Sequence, residues 1–445
     1  MPNSVLWFRR DLRLSDHPAL LAARDAGEEV LPLFVLDARL RGPAGDPRLA
    51  YLSRSLEALD ESLGGKLVIR RGDPTKLIPR LAREVDASTV HVSADYGPYG
   101  SRRDDEVAKV LANDGRELVR TGSPYAVAPG RVTKPDGSPY AVFTPFSKAW
   151  KAHGWRDPAQ RARQVAWLDG VKSDAVPKEP SVQGVSLPTA GEAAAMTRWR
   201  AFRDGALADY ASGRNRPDID GSSRMSVHLK WGEVHPRTLL ADLHHSRSHE
   251  VFRNELCWRE FYAHVLWHQP QTAREYMKEE LAGIEYDKPG ALFDAWREGR
   301  TGYPIVDAAM RALAAEGWLH NRVRMIVASF LVKDLHIEWT YGARHFMRHL
   351  VDGDLASNQH GWQWVAGTGT DAAPFFRVFN PVLQGVKFDP NGDYVRRWIP
   401  ELREIEGAVV HEPWKLRGGV PKGYPERVVD HAAEREEALR RYAAR

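Results

Sequence analysis

The chain reads as an α/β domain followed by an all-helical one, and three observations carry that reading. Its 445 residues exceed what one hydrophobic core usually supports, so two domains are expected. The first ~125 residues alternate short apolar runs with helical patterns. After Met196 almost every segment has helical period.

Taken in order, Ser4–Phe8, Glu29–Leu36, Lys66–Arg70 and Thr89–Ser93 predict strands, with an amphipathic stretch from Ala50 to Leu63 between the second and third. This βαβ alternation argues a parallel, Rossmann-like sheet covered by helices on both faces. Residues 1–127 are assigned to that domain. From 128 to 195 the text turns to Pro, Gly, Ser and Lys with weak periodicity, which predicts a connector lying over the surface. Residues 196–445 make the helical domain. There Pro304 opens a helix that Gly317 closes, and a second helix runs from Asn321 to Leu335. Val323, Ile326, Val327, Phe330 and Leu331 form its buried stripe. Asp352–Pro374 holds two acids, an Asn and two Trp in a stretch too Gly-rich to be an ordinary helix. It is expected to be a binding surface: glycine lets the backbone approach a ligand, carboxylates accept hydrogen bonds, and indoles stack or pass electrons.

Composition narrows the class. A hydrophobic fraction of 43% suits globular cores, and ten of the fifteen Trp fall after Arg200, as a region handling flat rings would show. The lone Cys257 excludes a disulfide framework and points to a reducing compartment. Val5–Phe8 is too short for a secretory core, and no apolar run approaches a membrane span. A soluble, cytoplasmic monomer is expected. With a net charge of only +4, any nucleic-acid contact must come from a local patch.

Three constellations carry chemistry. Glu255, Trp258, Arg259 and Tyr262 are spaced i, i+3, i+4, i+7 and share one helix face, either a ligand-lining wall or a solvated face with an internal Glu and Arg pair. Asn321, Arg324 and Met325 repeat the pattern on the next helix, where Met325 alone would read as core filler. Gly221-Ser-Ser-Arg-Met-Ser226, after Tyr210, offers hydroxyls and amides before a helix, which suits phosphate or a plain N-cap.

Four motifs together resemble the DNA photolyases and cryptochromes: Trp7-Phe-Arg-Arg-Asp-Leu-Arg-Leu-Ser-Asp-His-Pro-Ala-Leu20, Gly302-Tyr-Pro-Ile-Val-Asp-Ala-Ala-Met310, the Asp352–Pro374 segment, and Phe376-Arg-Val-Phe-Asn-Pro381. The likeness spans Trp7 to Trp414 and is nearest to the class I photolyases for cyclobutane pyrimidine dimers. It implies an FAD-binding helical domain and light-driven repair of dimers in DNA by electron transfer from excited reduced FAD. Glu255, Trp258, Met325, Asn358 and Trp364 match catalytic positions, with Glu255 and Trp258 on the lesion and Asn358 opposite flavin N5. Tyr210, Ser222, Ser223, Ser226, Phe252, Arg259, Asn321, Arg324, Asp352 and Asp354 match the FAD pocket. Trp362, Trp339 and Tyr286 align with the electron-hopping chain, whose outer member is ordinarily Trp. Arg214, Arg322 and Arg377 are the DNA-binding candidates. Arg48 and Lys230 match an antenna site, for 8-hydroxy-5-deazaflavin or alternatively 5,10-methenyltetrahydrofolate. No metal is implied. Two rivals remain open: a cryptochrome-like flavin photoreceptor, and an α/β nucleotide enzyme using Asp352 and Asp354 for metal.

Overall fold

The structure, a computed structural model, describes residues 2–370 and 377–444. Residues 371–376, which close the Gly-rich segment and begin the last motif, lie outside the described residues. The chain divides into two compact units: Met1–Val182 with Pro188–Asp204 and Ser223–Pro270, and Gln183–Leu187 with Gly205–Ser222 and Gln271–Arg445.

The first unit is built on five strands. In chain order they run β1 (Asn3–Phe8), α1 (Pro18–Ala26), β2 (Val30–Leu36), α2 (Asp46–Ser62), β3 (Val68–Arg71), α3 (Pro74–Glu84), β4 (Ala87–Val92), α4 (Pro98–Asn113) and β5 (Glu117–Arg120). The sheet order is β3-β2-β1-β4-β5, and every pair is parallel. Alternate side chains of β1 enter different cores: Val5 and Trp7 join one apolar cluster, Leu6 and Phe8 another. Both faces are thus covered, which is why the strands read as continuous apolar runs. The sequence signals four of these strands. β5 is missed because only four residues pair and its Glu117 and Arg120 ends are polar.

The 128–195 stretch is more than a surface connector. It contains α5 (Phe143–His153), whose Phe146 and Trp150 are buried. Only these two positions, one turn apart, are fully buried, too few to register as periodicity. Then come α6 (Glu192–Arg203), α7 (Ser226–Trp231) and α8 (Arg247–His268). Fully buried Glu233 ties α2 to this region, accepting from Tyr51 Oη at 2.8 Å, Ser55 Oγ at 2.7 Å and the Gly191 amide at 2.7 Å.

The second unit is helical: α9 (Pro304–Glu316), α10 (Asn321–Lys333), α11 (Trp339–His349), α12 (Leu355–Ala366), α13 (Pro381–Phe388) and α14 (His431–Ala443). Pro304 stands in the first turn of α9 and left-handed Gly317 ends it. The stripe on α10 is buried as expected. The Gly-rich segment departs from expectation, because twelve of its residues form α12. Asp354 caps that helix by accepting from the Ser357 amide at 3.0 Å, and Gly367 closes it at φ 81°. Of its glycines, only Gly361 is interior to the helix, a cost of about 1 kcal/mol that capping and burial outweigh. Among the described residues no helix is long and apolar enough to cross a membrane.

Candidate functional site

In the helical unit two of the residues expected to hold a flavin, Arg324 on α10 and Asp352 just ahead of α12, meet as a pair. Arg324 donates from Nε to the Leu319 carbonyl at 2.7 Å and from Nη2 to Asp352 Oδ2 at 2.8 Å. The Asp352 side chain is 2% exposed, yet its Oδ1 is buried without a hydrogen-bond partner among the described residues. A buried acceptor left unmet costs about 1–3 kcal/mol, so this oxygen suits a donor that the described residues do not supply. Half-buried Asn358 donates from Nδ2 to the Ala343 carbonyl at 3.1 Å and to Gln359 Oε1 at 2.8 Å. Its amide nitrogen is thereby engaged, and Oδ1 is presented as an acceptor. Asp352 is paired and Asp354 is a helix cap, an arrangement unlike that of metal ligands.

Asn321 opens α10 on its exposed side, while Met325 is half-buried against the core of the unit. Trp339 and Trp362 are buried and Trp364 is half-buried in the same core. The ring next to Trp339 is that of Tyr276, with centroids 6.0 Å apart, and Tyr286 packs with Tyr276 in a small cluster with Tyr442. Tyr210 is buried at the start of a short helical turn, with the Arg214 guanidinium 6.0 Å from its ring; Ser222 follows in the same unit. Arg322 donates to Asn215 Oδ1 at 2.8 Å and lies over Phe388 at 4.3 Å. Burial, and then the nearby Arg214 charge, hold its guanidinium below the ordinary value, so two of the DNA candidates form one positive spot. Arg377 is exposed, and its carbonyl accepts from Lys333 Nζ at 2.5 Å.

In the α/β unit, α8 carries the mixed face that the spacing predicts. Glu255, Trp258, Arg259 and Tyr262 are all half-buried. Phe143 covers one face of the Trp258 indole, stacked at 3.6 Å and 5°. Arg259 donates to the carbonyls of Pro124 at 3.0 Å and Leu229 at 3.2 Å and sits 4.8 Å over Tyr125, so it braces the exit of β5 against α7. Phe252 is buried beside Trp199 and Phe202 in an aromatic core. Ser223 Oγ accepts from the Met225 amide at 3.2 Å, and Ser226 opens α7. Arg48 is buried on α2 and reaches the Pro43 carbonyl at 3.4 Å, while Lys230 lies 5.5 Å over Trp231.

Sequence reasoning passed over Glu260. This buried carboxylate accepts from Trp150 Nε1 at 2.6 Å, from the Val127 amide at 3.0 Å and from the Ala126 amide. Burial pushes it up to about 7 against the pull of those donors. Nothing local marks it, because its partners lie more than a hundred residues away.

The chain thus pairs a unit built on a parallel sheet with a helical unit that carries a buried, unmet carboxylate oxygen at Asp352. Residues 4–164 match the family model described as DNA photolyase, and residues 252–444 match the one described as the FAD binding domain of DNA photolyase. The deoxyribodipyrimidine photo-lyase of Streptomyces griseus is 44% identical over 98% of this chain and 98% of its own. A bacterial class III photolyase from Agrobacterium tumefaciens superposes with a TM-score of 0.94 at 39% identity, covering 100% of this chain and 98% of that one. An archaeal photolyase from Sulfolobus tokodaii, solved with two FAD molecules, gives a TM-score of 0.87 at 29% identity, covering 100% of both chains. The chain belongs to the DNA photolyase/cryptochrome family.

Proposed function

We propose that this chain repairs cyclobutane pyrimidine dimers in DNA with light and FAD. The observation that carries the reading is the Arg324–Asp352 pair with its unmet Oδ1, together with an Asn358 amide whose nitrogen is engaged and whose oxygen is left to accept. Those two oxygens suit the N–H groups of a reduced isoalloxazine ring, and an acceptor at N5 favours the reduced flavin. When bound and reduced, FAD supplies a photoexcitable one-electron donor.

The protein's part is placement and tuning. Ser222, Ser223 and Ser226 present hydroxyls to the pyrophosphate. Enzymes that act on a base take it out of the stack, photolyases among them, and a dimer pairs poorly enough to lower that cost of a few kcal/mol. Arg214, Arg322 and Arg377 grip phosphates without reading sequence. Glu255 hydrogen-bonds the extruded pyrimidines, Trp258 stacks on them with the face that Phe143 leaves uncovered, and Met325 packs against them. In the α/β unit, Arg48 and Lys230 hold an antenna, for which we propose 8-hydroxy-5-deazaflavin. Extraction and identification of the chromophores decides between it, a folate and a second FAD.

Illuminating dimer-containing DNA with the reduced, FAD-loaded chain should restore pyrimidine absorbance. Glu255→Ala should slow that recovery about tenfold with FAD content unchanged, the loss of one charged hydrogen bond. Asp352→Asn should instead weaken FAD retention. Absorbance that never recovers with the loaded chain ends the repair reading.

A further inference from the structure

The aligned hopping chain has Tyr286 at its outer position, but in the structure another tyrosine stands next to Trp339. Trp339 is fully buried, and its Nε1 has no hydrogen-bond partner among the described residues. An oxidised indole held this way has no base to take its proton, so the hole stays mobile and can only be filled from a neighbouring ring. That neighbour is Tyr276, edge-to-face at 78° and 6.0 Å.

Tyr276 carries what Trp339 lacks. Its hydroxyl donates to Glu338 Oε1 at 3.0 Å, and Glu338 is itself oriented by Thr340 Oγ1, which donates to Oε2 at 2.9 Å. Phenol oxidation is favourable when the proton leaves with the electron, and a carboxylate oxygen at hydrogen-bond distance is a fitting acceptor. The Tyr286 hydroxyl, by contrast, is buried with the phenols of Tyr276 and Tyr442 beside it and with no carboxylate hydrogen-bonded to it among the described residues.

The segment that bears Tyr276 is fixed by α12. Gln363 Oε1 accepts from the Met277 amide at 2.8 Å while its Nε2 donates to the carbonyls of Thr272 and Glu275, each at 3.1 Å. Gln359 Nε2 donates to the Ala273 carbonyl at 2.7 Å, and His360 Nε2 meets Thr272 Oγ1 at 3.0 Å. Three side chains of one helix therefore hold the turn on which Tyr276 sits. Tyr276 is itself only half-buried, so its ring is within reach of a solution reductant.

We propose that Tyr276, with Glu338 as its proton acceptor, is the terminal electron donor of the photoreduction path, and that Tyr286 is not required. One electron passes from Tyr276 to oxidised Trp339, and the phenolic proton moves to Glu338. Trp339 is restored, and a neutral tyrosyl and a protonated carboxyl remain. The oxidant that creates the hole is a photoexcited flavin, so the inference rests on the cofactor reading above.

The test is flash photoreduction of the full chain loaded with oxidised FAD, followed by transient absorption and by electron paramagnetic resonance. The wild type should pass from a tryptophan radical to a tyrosyl signal, slower in heavy water. Tyr276→Phe should lose the tyrosyl and lengthen the tryptophan radical's life at least about tenfold, while Tyr286→Phe keeps both as in the wild type. Glu338→Gln retains an acceptor oxygen but not a base, and should slow tyrosyl formation on the order of a hundredfold. Bound FAD and circular dichroism establish that each variant is folded. A tyrosyl that survives Tyr276→Phe, or that vanishes in Tyr286→Phe alone, overturns the proposal. So does a tyrosyl rate that Glu338→Gln leaves unchanged. Chemically reduced Tyr276→Phe should still split dimers at the wild-type rate. If the chain binds no FAD, the cofactor reading fails first; if it binds FAD and the radical rests on tryptophan, only this inference fails.

Discussion

At the scale of single residues, Glu260 shows how a buried acid sets a pH response. Burial raises it from an ordinary 4.5 to about 7, opposed by the Trp150, Val127 and Ala126 donors. Between those values the unfolded chain has released a proton that the folded chain keeps. Stability is therefore fully present below the lower value and declines as pH rises through the upper one. The melting temperature of the wild type should fall across that window, and Glu260→Gln, which cannot ionise, should flatten the fall. Parallel melts at acidic and neutral pH check the slope. Neither this residue nor Glu338 was legible in the sequence, because each acts through partners that only the fold supplies. Asn358 stood out in the sequence through its place in the Asp352–Pro374 segment and through the family resemblance.

At the scale of elements, the reading succeeded where periodicity was long and failed where composition was counted without position. α9 and α10 emerge within two residues of their expected ends because Pro304, Gly317 and an unbroken apolar stripe mark them. α12 was misjudged because Gly353, Gly367 and Gly369 flank the helix rather than interrupt it. Glycine matters more inside α11. A Cβ on Gly342 would lie 2.2 Å from Trp362 Cη2 and 2.6 Å from a Leu331 methyl. Alanine there would gain about 1 kcal/mol of helix propensity and lose about 1–3 kcal/mol to overpacking. Gly342→Ala should therefore destabilise the protein, seen as a lower denaturation midpoint together with altered Trp362 fluorescence.

At the scale of the whole molecule, a net charge of +4 leaves DNA affinity to local charges. Arg214→Ala and Arg322→Ala should each weaken binding of dimer-containing DNA and lower the slope of log affinity against log salt by about one. A titration series at several salt concentrations reads this directly, and an unchanged slope removes that residue from the phosphate contacts. The two-part architecture was legible because strand and helix periods change along the chain. The Arg324–Asp352 pair was not, since Arg324 lies on α10 and Asp352 in the turn ahead of α12, and neither motif names the other.

The seat of Trp362 over Gly342 also constrains how such a chain can drift over generations. Any side chain at 342 requires a smaller ring at 362, and a smaller ring there forfeits the easily oxidised indole. The two positions are bound to change as a couple, so lineages that keep photochemical reactivation should hold glycine at the first for as long as they hold tryptophan at the second.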